Sequence, residues 1–114
     1  MHRNNVVHRD IKPENIMLEG FGASESRKNR TDTALAAIKI IDFGTACTFE
    51  RNVFLREKVG TFSYMAPEIM IKAPGESAPA YDELVDMWSL GILAYTLLCG
   101  RFPFGDLTHD GEQT

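Results

Sequence analysis

The sequence predicts a mainly α fold of the α+β kind: one long buried central helix beside a small β-hairpin. Two observations predict it. The first is the stretch at 82–99, whose "MWSLGILAYTLLC" is apolar on nearly every side, as a helix enclosed by protein must be. Gly100 and Pro103 stop it, and it is too short for a bilayer, which needs about 20 such residues. The second is a pair of brief, β-branched runs at 16–18 and 38–41, bounded by polar residues and suited to pair as a hairpin.

The remaining elements follow in chain order. Val6 and Val7 read as a short strand, and 8–15 as a polar loop. Residues 19–37, "EGFGASESRKNRTDTALAA", are rich in Gly, Ser, Asn, Thr and charge and read as a long solvated loop, with the basic cluster at 26–30 as part of its wet surface. "YMAPEIMIK" begins a short helix, and 74–79 form a loop.

A chain of 114 residues is one domain at most, and 12 basic against 16 acidic side chains give no clustered basic face for nucleic acid. Its two cysteines, Cys47 and Cys99, lie in no metal or redox spacing and suit free thiols in a reducing compartment. "MHRNNVVHRD" at the start has no apolar stretch behind it, so neither a signal peptide nor a transit sequence is visible. An intracellular, cytoplasmic protein with no membrane segment is the resulting expectation.

Four motifs carry chemistry. "HRDIKPEN" at 8–15 is followed in order by "DFG" at 42–44, "APE" at 66–68 and "DMWSLG" at 86–91. In that order the chain resembles the central, large-lobe part of a eukaryotic protein kinase catalytic domain, and Lys12-Pro13-Glu14-Asn15 resembles the serine/threonine type. The resemblance implies a partial kinase domain over 1–114: catalytic loop 8–15, long variable loop 19–37, activation segment 42–68, central helix about 82–99. It implies ATP and Mg2+ as cofactors, protein substrates with Ser or Thr acceptors, and a small lobe that is absent here and expected in cis.

Phosphoryl transfer asks for positioning and charge neutralisation more than covalent chemistry, and the resemblance distributes those tasks. Asp10 is the base that accepts the substrate hydroxyl's hydrogen bond, and Lys12 is the ammonium beside the γ-phosphate. Asn15 and Asp42 are hard oxygen ligands for magnesium, and Met17 lies beneath the adenine ring or simply fills the core. His8 and Phe43 resemble a stacked column joining the catalytic loop to the Asp-Phe-Gly turn. Asp86 resembles an anchor that accepts backbone N–H bonds from that loop, the alternative being a plain carboxylate favoured by the helix dipole. Thr61 resembles the threonine that bonds Asp10 and Lys12; Gly60 to Tyr64 resemble the substrate platform; Glu68 resembles a glutamate paired with an arginine later in the domain.

Between Thr48 and Gly60 the activation segment holds no Ser, Thr or Tyr, and Glu57 stands where many relatives carry a phosphothreonine. Glu57 is therefore expected to pair with Arg9 as a permanent substitute for phosphate, or else to be an exposed loop glutamate. This segment and the "LLCGRFPF" closing the long helix are similar to calcium/calmodulin-dependent and calcium-dependent kinases, although no EF-hand loop is present. Lys39 in "AIKIIDFG" only imitates the ATP-positioning lysine, because that lysine precedes His-Arg-Asp in the family and Lys39 follows it. "GFGAS" at 20–24 likewise imitates a glycine-rich loop. Two other readings stay open: a non-catalytic, kinase-like binding module, and a truncated product without activity of its own.

Overall fold

The computed structural model describes residues 1–19 and 37–105. The 26–30 cluster and "GFGAS" lie outside the described residues. Four short strands occur, β1 (Val6–Val7), β2 (Ile16–Glu19), β3 (Ala37–Ile40) and β4 (Cys47–Thr48), with two α-helices, α1 (Pro67–Met70) and α2 (Val85–Cys99). Three single 3-10 turns, His2–Asn4, Pro13–Asn15 and Phe62–Tyr64, bend the chain between them.

β2 and β3 form the expected antiparallel hairpin, with Ile16 opposite Ile40, Met17 opposite Lys39, Leu18 opposite Ile38 and Glu19 opposite Ala37. Glu19 and Ala37, read from the sequence as loop, thus belong to the ladder. Period-two alternation puts Ile16, Leu18, Ile38 and Ile40 on one face and Met17 and Lys39 on the other. Ile16, Ile38 and Ile40 line a groove with Ile11, Met87 and Leu90 of α2. The second sheet was not foreseen: β1 pairs antiparallel with β4, Val6 opposite Thr48 and Val7 opposite Cys47. Two-residue strands carry no readable alternation, so only tertiary contact reveals this pairing.

The long helix differs from expectation in two ways. It begins at Val85 rather than at 82, because the Asp82 carboxylate accepts the Leu84 N–H at 2.9 Å and turns the chain locally before the helical ladder starts. It is also buried on one stripe only, at Val85, Asp86, Ser89, Ile92 and Leu93. Leu97 and Leu98 stand 72% and 86% exposed, so the described residues enclose α2 on one side and leave the other bare. Gly100, at φ 69°, closes the helix by donating its N–H to the Thr96 carbonyl.

The buried apolar residues form two small cores. Val7, Met65, Ala66, Ile69, Tyr81 and Val85 form one; Ile11, Tyr64, Ile92 and Leu93 form the other. Each Val or Ile so buried contributes about 1.5–3 kcal/mol. Ser89 ties them together, its hydroxyl donating to the Tyr64 carbonyl at 2.8 Å. No helix among the described residues is long and apolar enough to cross a membrane.

Candidate active site

The loop after β1 is hung from the first turn of α2. Asp86, 4% exposed, accepts the His8 N–H on Oδ2 at 2.9 Å and the Arg9 N–H on Oδ1 at 2.8 Å. His2 Nε2 lies 2.8 Å from the same Oδ2. These bonds hold Arg9 at φ 68°, a left-handed conformation that costs a residue with a Cβ about 1–3 kcal/mol. Arg9 is thereby turned to aim its side chain at Thr45 and Glu57.

His8 is wholly buried and its tautomer follows from its partners. The Asp10 N–H points at Nδ1 at 3.2 Å, so Nδ1 accepts; the Ile41 carbonyl, 2.9 Å from Nε2, can only accept, so Nε2 carries the proton. His8 therefore bridges the 8–15 loop to the residue before Asp42. Phe43 packs edge-on against it, centroids 5.1 Å apart, with its outer side exposed.

Asp10 sits in a ring of donors. Its Oδ1 accepts the Thr61 hydroxyl at 2.6 Å; its Oδ2 lies 3.1 Å from Lys12 Nζ and 3.3 Å from Asn15 Nδ2. Lys12 Nζ also donates to Thr61 Oγ1 at 2.7 Å, so Thr61 accepts from one side of the pair and donates to the other. Burial alone would raise the Asp10 pKa, but hydrogen bonds from Thr61, Lys12 and Asn15, with the Lys12 charge, outweigh it and hold the carboxyl below its ordinary range. Asp10 is ionised at neutral pH.

Asn15 is buried, and its side-chain Nδ2 donates to the Asp10 backbone carbonyl at 2.8 Å while its backbone carbonyl accepts the Ile41 N–H at 2.9 Å. That bond sets Asp42 beside the catalytic loop. Asp42 has φ 59°, and its Oδ1 accepts the Gly44 N–H at 3.1 Å. It makes no ion pair among the described residues, and a carboxylate beside an amide is the hard-oxygen donor set that magnesium shares with phosphate. The residues present fit that ion. Among the described residues no cluster of three or more His, Cys, Asp or Glu could hold a metal by itself.

Arg9 receives the segment that carries Thr45 and Glu57. Its Nε donates to the Thr45 carbonyl at 2.6 Å, and Nη1 reaches Glu57 Oε2 at 3.0 Å and the Tyr81 hydroxyl at 3.2 Å. Burial tends to lower the Arg9 pKa, but its hydrogen bonds to Tyr81 and Glu57 win and raise it. Gly60, at φ 111°, lies against the loop so closely that a methyl there would collide with the Arg9 carbonyl oxygen. Thr61 and buried Tyr64 follow it, the Tyr64 ring edge-on to Phe102 at 5.4 Å. Burial first, then the nearby Glu14 charge, pushes the Tyr64 hydroxyl up. Glu68 is exposed on α1.

Met17 is 56% exposed on the face it shares with Lys39, and Lys39 makes a surface ion pair with Glu19 at 3.5 Å. Sequence reasoning missed His2, Thr45 and Tyr81. Nothing local marks them, since each acts on a residue far along the chain.

The chain matches the family described as protein kinase domain over residues 1–114. It is 45% identical to calcium-dependent protein kinase 4 of Plasmodium falciparum over 91% of its own length and 16% of that protein. Against the human phosphorylase b kinase gamma catalytic chain, liver/testis isoform, the identity is 40% over 91% of this chain and 22% of the relative. A probable myosin light chain kinase of Dictyostelium discoideum is 40% identical over 96% of this chain and 24% of its own length. The chain thus spans a quarter or less of the relatives it matches.

Proposed function

We propose that this chain, which belongs to the protein kinase domain family, contributes the catalytic large-lobe half of a serine/threonine protein kinase site. The observation that carries the proposal is Asp10, ionised and aimed by Thr61, Lys12 and Asn15. Its carboxylate accepts the hydrogen bond of an incoming Ser or Thr hydroxyl and orients that oxygen for attack. As the bond from that oxygen to the γ-phosphorus of ATP forms, the bond from that phosphorus to the bridging oxygen would break, ADP would leave with the electron pair, and the hydroxyl proton would pass to Asp10. Lys12 holds positive charge beside the transferring group, and Thr61 keeps base and cation at a constant separation. Asn15 and Asp42 would hold magnesium, and the ion, bound with ATP as the phosphoryl donor, would supply part of the charge neutralisation. Met17 carries the floor of the nucleotide site, and Gly60, Thr61 and Tyr64 the substrate platform.

The glycine-rich loop and its lysine, which complete such a site, come on this reading from a small lobe in cis. Glu57 orders the activation segment through Arg9 in place of a phosphate. His8, Phe43 and Asp86 keep the loop and the Asp-Phe-Gly turn in register. The free thiols Cys47 and Cys99 suit a cytoplasmic setting.

The test is phosphate transfer from labelled ATP to Ser/Thr peptides by the protein expressed as its gene encodes it. Transfer that Asp10→Asn abolishes supports the proposal. A protein that folds but transfers nothing refutes it, and the bare face of α2 at Leu97 and Leu98 would then favour a partner-binding module.

A further inference from the structure

Tyr81 stands at the junction of three parts of the molecule. Its ring is 2% exposed and fills the core with Val7, Met65, Ala66, Ile69 and Val85. Its backbone forms an isolated antiparallel bridge with Leu55, with Leu55 N–H to the Tyr81 carbonyl at 2.8 Å and the reverse bond at 3.1 Å. Its hydroxyl accepts from Arg9 Nη1 at 3.2 Å and donates to the Glu57 carbonyl oxygen. The phenol proton is committed to Glu57, and the oxygen lone pair is left for Arg9, so both bonds coexist only with a neutral tyrosine. Burial, the largest influence, raises the Tyr81 pKa against the opposing pull of Arg9, so the hydroxyl remains a donor at neutral pH.

We propose that Tyr81 is a positioning residue, a latch that holds residues 55–57 of the activation segment in register with Arg9. Glu57 has a side chain 73% exposed, so its ion pair with Arg9 is weak where water competes and needs its backbone held. Tyr81 supplies that hold from inside the core. Fixing 55–57 also fixes the approach of Gly60 to the Arg9 carbonyl, and with it the seat of Thr61 against Asp10. The expected effect on substrate rests on the kinase reading; the latch itself does not.

Tyr81→Phe keeps the ring and removes only the hydroxyl. Ile69→Val is the control, since it thins the same core without touching a hydrogen bond. Limited trypsin digestion of the protein as its gene encodes it reads the segment directly at Arg51, Arg56 and Lys58. Cleavage there tracks the open population when opening is fast. Tyr81→Phe, which removes the hydroxyl's bonds to both Arg9 and Glu57, is expected to accelerate it about tenfold, and well beyond Ile69→Val. It is also expected to raise the KM for peptide several-fold while leaving the KM for ATP unchanged. Cleavage no faster than in Ile69→Val would overturn the latch. If the wild-type protein transfers no phosphate, the kinase reading falls, and the digestion alone still decides for or against Tyr81.

Discussion

The corner around Arg9 and Asp86 and the β2–β3 hairpin are held by different forces. In the corner, bonds such as His8 N–H to Asp86 and Thr61 to Asp10 join residues distant in sequence, and the participants are mostly buried. The hairpin is held by its own ladder, and Met17, Leu18 and Ile38 remain 56%, 55% and 60% exposed. Hydrogen bonds saturate: once Asp86 has its donors, the anchor needs nothing further. Apolar surface has no such limit and is satisfied only by more covering atoms, which the described residues do not supply to the bare sides of the hairpin and α2. Among the described residues, the polar groups of the corner therefore satisfy one another, while the apolar surfaces of the hairpin and α2 stay uncovered.

The sharpest way to break that contrast is Asp10→Asn. It should lower kcat about 10³-fold, or roughly 4 kcal/mol of barrier, with little change in peptide KM. A steady-state assay in which the variant keeps most of its kcat would mean the corner does not carry the chemistry. Next in size is Asp86→Ala, which strands two buried N–H groups at about 1–3 kcal/mol each. Urea denaturation should show a loss near 3 kcal/mol; a loss under 1 kcal/mol would deny Asp86 its anchoring role.

Glu57→Ala comes third. Arg9 keeps Thr45 and Tyr81, so an activity drop of only about three- to fivefold is expected, in line with a modest exposed ion pair. Unchanged activity would sink the phosphate-substitute role. pH provides a smaller test. Because the folded Asp10 pKa is lowered, its ionised form stabilises the fold fully above the ordinary carboxylate value of about 4, and that contribution is lost as pH falls through the lower folded value. The stability gap between wild type and Asp10→Asn should accordingly narrow in acid. The smallest effect belongs to the hairpin: Lys39→Ala should change stability by less than about 0.5 kcal/mol, since Lys39 and Glu19 are both more than half exposed. A loss of 2 kcal/mol there would show that the hairpin is no mere surface ladder.

Much of this was legible in the chain itself. The β-branched runs announced β2 and β3, the apolar stretch closed by Gly100 announced α2, and the order of "HRDIKPEN", "DFG", "APE" and "DMWSLG" pointed to the protein kinase family. Lys39 follows His-Arg-Asp where the family's ATP-positioning lysine precedes it, and in β3 it makes a surface ion pair with Glu19. Those signals are local, or depend on sequence order, and so they survive without coordinates.

Other features had no local signature. The β1–β4 pairing, the His2 contact with Asp86 and the placement of the Tyr81 hydroxyl between Arg9 and Glu57 all join residues that only the folded chain brings together. The exposure of one side of α2 is of the same kind, since apolar composition records that a surface wants cover and not whether cover arrives. The sequence by itself determined which residues can donate, accept or bury, because those are properties of each side chain and its neighbours. Tertiary structure alone decided which donor meets which acceptor, because a hydrogen bond depends on distance and angle at a few ångströms, and sequence separation does not encode either.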